Sequence, residues 1–382
     1  MHSIIIGSLK EVSRDAWNSL QGTQSPFLCY EFLRALEDHH CVGPARGWLP
    51  QHILLYDKQT LVGAVPQYLK TNSYGELVFD WAWAEAYERS GLDYYPKLVV
   101  AIPYTPATGP RLLIAPQAGR EKIARQLIQC ALDHARQQNV SSLHWLFPHA
   151  EDMQHLTEQG LLPRLGCQFH WHNLPGEQHY RDFEDYLGYF TAKKRKQIRR
   201  ERRAVRETGV TVKRLHGEEL NDAQWRAVHR HYSSTFARLG GFATLSLDFF
   251  LEVSRTLPQQ LIVMLAEHNR QCVASAICFR DHDTLYGRHW GCDAHFDKLH
   301  FELCYYQGLE YCIEHRLQRF DPGAQGEHKI SRGFLPTPTW SAHWIAEPRF
   351  RAAIADFLQR EIQGMERYIA SLKAHSPFKR VD

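Results

Sequence analysis

LIVMLAEHNRQCVASAICFR, residues 261–280, reads as a strand, a polar turn and a second strand. The same pattern stands at residues 52–70, HILLYDKQTLVGAVPQYLK, where the turn is Asp57 to Gln59 and Gly63 takes the place of Ala274. The elements after the two hairpins also correspond. After the second hairpin come a strand around Leu285 to Trp290, a loop to Leu299, a helix from about His300 to His315, and a short strand at Arg319 and Phe320. After the first come an aromatic segment, a helix over Glu121 to Gln138 with Ile123, Leu127, Ala131 and Ala135 on one face, and a strand over Ser142 to Phe147. Two cycles of hairpin, strand, helix and strand point to an internal duplication, with roughly 30 extra residues in the first copy.

Strands and helices in this alternation predict an α/β fold with mixed sheets (α+β). The expected organisation is a domain over 1–165, a second over 166–347 that includes a basic helix at 191–207, and a C-terminal helix within 348–382. That helix covers the domains through Ile354, Phe357, Leu358, Ile362, Met365 and Ile369. An earlier helix is expected from Ser25, with Pro26 at its first position. A chain of 382 residues is long enough for two cores, and 44% hydrophobic with 23% charged residues is a globular rather than a disordered composition. No apolar run reaches the roughly 18 residues of a membrane helix, and MHSIIIGSLKEV lacks the form of a signal peptide. A cytoplasmic protein without a transmembrane segment is therefore expected. Nine scattered cysteines without a CxxC pair argue against a disulfide framework or a cysteine zinc site. Neither a GxGxxG after a strand nor a phosphate-binding GxxxxGK loop is present, so neither dinucleotide nor P-loop chemistry is supported.

Net charge is only +3, but nine Lys and Arg fall between Lys193 and Arg206. At 3.6 residues per turn, Arg195, Arg199, Arg202 and Arg206 share one face, and Lys193, Lys196, Arg200 and Arg203 an adjacent one. Ile198, Glu201, Ala204 and Val205 are left to face the protein. Lys193, Lys196, Arg199, Arg200 and Arg203 are the expected contacts for a polyanion such as coenzyme A, an RNA acceptor stem or a phosphorylated sugar carrier. A solvated surface helix is the competing interpretation.

Two further stretches carry chemistry. GAQGEHKISRGF, from Gly323 to Phe334, sets Glu327, His328, Lys329 and Arg332 between Gly326 and Gly333, on backbone free to bend or approach a ligand. YGRHWGCDAHFDKLHFELCYY, from Tyr286 to Tyr306, brings His300 and Glu302 to the start of a helix, and His289, Trp290 and Tyr305 lie beside them as candidate substrate contacts. Cys304 has no histidine that the sequence pairs with it, so a thiolate nucleophile is not expected. His289, His295, His300 and His328 with Glu302 and Glu327 offer a two-histidine, one-carboxylate set, but no metal is expected: Glu302 and His300, two apart on a helix, point about 200° away from each other, and the HExxH spacing is missing.

Through YGRHWG, LHFELCYY, GAQGEHKISRGF, YYPKL and KKRKQIRRERR the sequence resembles the FemAB-like N-acyltransferases of the GNAT superfamily, over nearly its whole length. The resemblance implies two tandem GNAT-like domains and transfer of an acyl or aminoacyl group from an activated donor, aminoacyl-tRNA or acyl-CoA, to an amine. A peptidoglycan-type precursor is one such amine acceptor, and no covalently bound cofactor is implied. By the resemblance Lys329 stabilises the reaction. The closely spaced glycines of a GNAT pyrophosphate loop are absent from both copies, where QAGREK (117–122) and DAHFDKLH (293–300) stand instead. In a direct transfer, Lys329 would stabilise the oxyanion with Arg332 orienting the acyl or carboxylate end, and Glu302 or Glu327, with His300 or His328 in competition, would take the amine proton. Tyr95 and Lys97, next to Tyr94, are the expected acceptor contacts in the first domain. The rival expectation is a non-catalytic GNAT-like module that binds RNA or an anionic cell-wall precursor.

Overall fold

The computed structural model describes residues 1–175, 178–294, 296–324 and 326–379, which form two compact units. One comprises Met1–Cys167 and Pro338–Tyr368; the other comprises Gln168–Thr337 and the chain from Ile369.

Each unit contains one of the two hairpins. His52–Asp57 pairs with Thr60–Val65 in the first, and Leu261–His268 with Gln271–Arg280 in the second. Both ladders slip at the same place: a bulge falls after Leu55 in one and after Ala266 in the other, which sets Gly63 opposite Leu55 and Ala274 opposite Ala266. The likeness read between the two stretches is thus a likeness of backbone geometry. In the first unit the helix Arg120–Gln137 lies so close to this strand that a Cβ on Gly63 would stand 2.9 Å from Leu127 Cδ1 and force that side chain to shift.

The strand after each hairpin then pairs in parallel with the strand after the helix: Lys97–Val100 with Ser142–Leu146, and Thr284–Cys292 with Arg319–Asp321. Parallel pairing needs a crossover, which Arg120–Gln137 supplies in one unit and the helical run Leu299–Glu314 in the other. Ile53, Leu98, Leu127, Leu143 and Trp145 belong to the first core; Ile262, Ala276, Leu303, Leu309 and Phe320 belong to the second. The fold class expected from the sequence, mixed α/β with mixed sheets, is what the chain adopts.

Local departures have local causes. The strand expected to run to Lys70 is interrupted at Pro66, which has no N–H for a ladder; Gln67–Lys70 pairs instead with Trp48–Pro50 and Lys97–Val100. The helix expected from Ser25 begins at Tyr30, because Leu28 and Cys29 both donate to the Ser25 carbonyl in a tight turn first. Residues 338–347, expected in the second domain, group with the first unit, since Ser341–Ile345 pairs with Ser142–Leu146. The C-terminal helix Pro348–Lys373 is divided: its residues to Tyr368 group with the first unit and those from Ile369 with the second. Ile354 and Leu358 pack with Trp83 and Tyr87 in a smaller cluster apart from the first core, Leu372 packs in the second core, and Phe357 stays 42% exposed.

Candidate active site

In the second unit the strands Thr284–Cys292 and Arg319–Asp321 are paired only from Thr284 to Tyr286. Beyond Tyr286 they part: one continues as Gly287 to Trp290, while the other turns away at Pro322 and leads into the short 3-10 helix Glu327–Arg332. A cavity of about 360 Å³ opens where they part, at the carboxyl ends of the two parallel strands. Ligands of open α/β sheets bind at such ends because strand pairing stops there and loops diverge.

Lys329 enters this cavity from the 3-10 helix. It is 2% exposed, and its Nζ donates to the Gly323 carbonyl at 2.6 Å. Burial brings the ammonium down to about 8, against the opposing pull of Asp321. The turn is held rigidly. Gly333 ends it at φ 91°, and a Cβ there would stand 1.9 Å from Tyr186 Oη, which itself donates to the Arg332 carbonyl at 2.9 Å. His328, next to Lys329 in sequence, has its Nε2 2.8 Å from the Tyr305 hydroxyl.

His300, Trp290, His289, Tyr305 and Cys304 complete the wall opposite. His300 and Trp290 meet edge to face at 5.2 Å, and they also line a second, adjoining cavity of about 260 Å³ beside Lys298 and Phe301. Burial, with the charges of His328, Arg332 and Lys329 nearby, lowers His300 to about 4, and burial with Arg288 lowers His289 to about 3. His328 is lowered too, by burial and by Arg332 and Lys329. These imidazoles are neutral near pH 7. Cys304 keeps its proton, because burial raises its thiol well above the usual value.

A π-helical turn, Glu302–Tyr306, interrupts the helix at this wall and presents Cys304 and Tyr305 to the cavity. It also turns Glu302 the other way. Both Glu302 oxygens are held by Arg202 of the basic helix, at 2.9 and 3.1 Å, and Arg202 reaches Glu310 as well. Arg332 is similarly engaged: its Nη2 donates to both oxygens of Glu201 at 3.0 and 2.9 Å, its Nε to Tyr306 at 3.1 Å, and its plane covers the Phe301 ring.

The structure therefore brings together Lys329, His328, His300, Tyr305, His289 and Trp290, but not the other expected residues. Glu302 and Arg332, expected as base and acyl-end contact, are fastened to the basic helix; Glu327 is exposed and does not line the cavity. Lys97, expected to meet an acceptor, is 0% exposed in the first unit, held by Asp80, by Glu76 at 2.9 Å and by Ser73 at 2.8 Å. Tyr95, half-buried beside it, has its hydroxyl 2.8 Å from that same Ser73. The histidine and carboxylate set weighed for a metal does not converge; His295 lies outside the described residues. Among the described residues the group that could converge on an ion is Asp281, His282 and Asp283, which are not part of the cavity lining. Sequence reasoning misses Arg288 and Asp321. The signal for Arg288 lies in YGRHWG, as a cation in a strand otherwise rich in aromatics.

The basic helix Ala192–Glu207 turns Ile198, Glu201 and Val205 inward and leaves Lys193, Lys196, Arg199, Arg200 and Arg203 exposed. Arg199 is paired with Glu184. Arg202 is the departure from the expected charged face: its side chain is 13% exposed and committed to Glu302 and Glu310.

A mixed-sheet unit with a cavity where parallel strands part, in a chain that repeats the plan, defines a class before it defines a family. The sequence matches the FemAB-like family, described as peptidoglycan biosynthesis/recognition, over residues 8–380, and the chain belongs to that family. No curated protein matches it. Among solved structures the fold resembles FemX, with a TM-score of 0.53 and 10% identity over 93% of this chain and 100% of that one. It also resembles the C-terminal domain of a putative lysylphosphatidylglycerol synthetase from Agrobacterium fabrum, with a TM-score of 0.53 and 11% identity over 91% of this chain and 94% of that one. At such identities the likeness is one of fold. Among the described residues no helix is long and apolar enough to cross a membrane.

Proposed function

We propose that the protein is an N-acyltransferase that moves an acyl or aminoacyl group from an activated donor, aminoacyl-tRNA or acyl-CoA, to the amine of a peptidoglycan-type precursor, and that the chemistry occurs in the cavity around Lys329. The observation that carries this reading is Lys329 itself, a buried cation fixed by the Gly323 carbonyl at the carboxyl ends of diverging parallel strands. Folding a cation into such a place is costly, and a site that develops negative charge is the use that offsets the cost.

Attack of a neutral amine on the acyl carbonyl forms the new C–N bond and puts negative charge on the carbonyl oxygen. Lys329 donates a hydrogen bond to that oxygen. Collapse of the intermediate breaks the bond to the ester oxygen or thioester sulfur, and the leaving group departs with the electron pair. The amine proton passes to His300 or His328, both neutral imidazoles that line the cavity. Glu302, Glu327 and Arg332 have no part in this scheme. The exposed lysines and arginines of the basic helix hold the polyanionic end of the donor.

Single-turnover transfer with bulk aminoacylated tRNA and with acyl-CoA, each offered a muropeptide amine, tests the reading. Transfer from one of them is expected. If neither supports transfer while tRNA still binds in a salt-dependent way, the reading fails and the chain is a binding module.

A further inference from the structure

Arg288 has an arrangement that the transfer scheme leaves unused. The ladder between Gln271–Arg280 and Thr284–Cys292 sets Cys278 opposite Gly287 and Ile277 opposite His289, so Arg288 is the extra, unpaired residue of a bulge. Bulges of this kind re-aim a side chain out of the alternation of the strand. Its Nε donates to its neighbour Gly287's carbonyl at 3.0 Å, and Nη1 is buried without a partner. Among the described residues no carboxylate lies within ion-pair distance of the guanidinium.

Two cations, Arg288 and Lys329, thus line a cavity to which no Asp or Glu among the described residues contributes. Asp321 stands behind both. It is 1% exposed, its Oδ1 accepts from the Gly323 N–H at 2.8 Å, its Oδ2 has no partner, and His170 Nε2 lies 3.8 Å away. Burial opposes its charge, but His170 and Arg288 offset that and hold its carboxyl below the usual range. The histidines of the wall are neutral near pH 7. Two cations against one carboxylate leave a surplus of one positive charge. That surplus fits a monoanion better than a phosphate dianion, and a guanidinium with an unpartnered terminal nitrogen suits a planar carboxylate.

We infer that Arg288 binds a free carboxylate of the amine-bearing acceptor. This rests on the transfer reading above and deepens it: Arg288 holds the carboxylate while Lys329 meets the oxyanion. It also reassigns the carboxylate contact from Arg332, whose guanidinium is committed to Glu201.

Calorimetric titration of the full chain with racemic lysine, racemic lysinamide and inorganic phosphate tests the inference. Lysine is expected to bind at least about tenfold more tightly than lysinamide, with phosphate failing to displace it. Arg288→Met is expected to abolish the preference and Arg288→Lys to restore part of it, with circular dichroism confirming that both variants fold. Equal binding of lysine and lysinamide, tighter binding of phosphate, an undiminished preference in Arg288→Met, or no binding of any probe would overturn it. The titration needs no turnover. Carboxylate-dependent binding without acyl transfer would contradict the transfer reading alone, whereas transfer that proceeds equally to lysine and lysinamide would contradict the carboxylate role alone.

Discussion

Lys329 has opposite effects on folding and on the proposed chemistry. Its ammonium titrates near 8 in the fold and near 10.4 in an unfolded chain. Between those values the unfolded state holds more protons, so this group makes stability rise with pH across that window and weighs against the fold below it. Lys329→Met is therefore expected to be at least as stable as the parent at pH 7 in urea titrations, with its advantage shrinking as pH rises from about 8 to 10. The same ammonium predicts a falling limb near pH 8 in the transfer rate. Histidines and glycines around Lys329 mark the residue in the sequence, and its burial follows from Phe334 and Ile330 packing into the second core. Arg332 shows where such reading stops. A cation three residues on looks equally suited to a ligand, but its partner Glu201 is 131 residues away and its engagement appears only when the chain is folded.

At the scale of elements, the inner face of the basic helix is tied to the site by two ion-pair groups. Glu201 holds Arg332 and Tyr306, and Arg202 holds Glu302 and Glu310. Helical periodicity correctly turns Glu201 inward, while it places Arg202 among outward charges because spacing alone does not reveal a carboxylate on a neighbouring helix. Removing one member of the buried pair strands the other. Glu201→Gln is expected to cost about 3–5 kcal/mol in urea unfolding. Glu201→Met combined with Arg332→Met is expected to cost less than the sum of the single changes, since no unpaired charge remains. Strict additivity would show that the two residues do not act as a pair. The π-turn at Glu302–Tyr306 was not legible either: its apolar and polar residues satisfy an ordinary helical pattern, and only the extra residue in the turn sends Tyr305 toward the cavity and Glu302 toward Arg202.

For the whole molecule, the duplication was legible because each hairpin carries its own turn and small-residue pattern, and the two bulges match residue for residue. Which unit a strand joins was not. Residues 338–347 look like a continuation of the second cycle in sequence, and only their ladder with Ser142–Leu146 assigns them to the first unit. The outward charges of the basic helix give a prediction at this scale. Replacing Lys193, Lys196, Arg200 and Arg203 together with glutamine is expected to lower the slope of log affinity for tRNA against log salt by about 3, at roughly 0.7–0.9 for each phosphate no longer neutralised. Stability should hardly change, because these side chains are exposed. An unchanged slope would leave the helix as a solvated face. The central claim, that the buried ammonium stabilises a developing oxyanion, is tested most directly by the single-turnover rate of acyl transfer in Lys329→Met with donor and acceptor saturating. A fall of about 10²–10³-fold with donor affinity retained is the predicted result; transfer at a near-parental rate would contradict it.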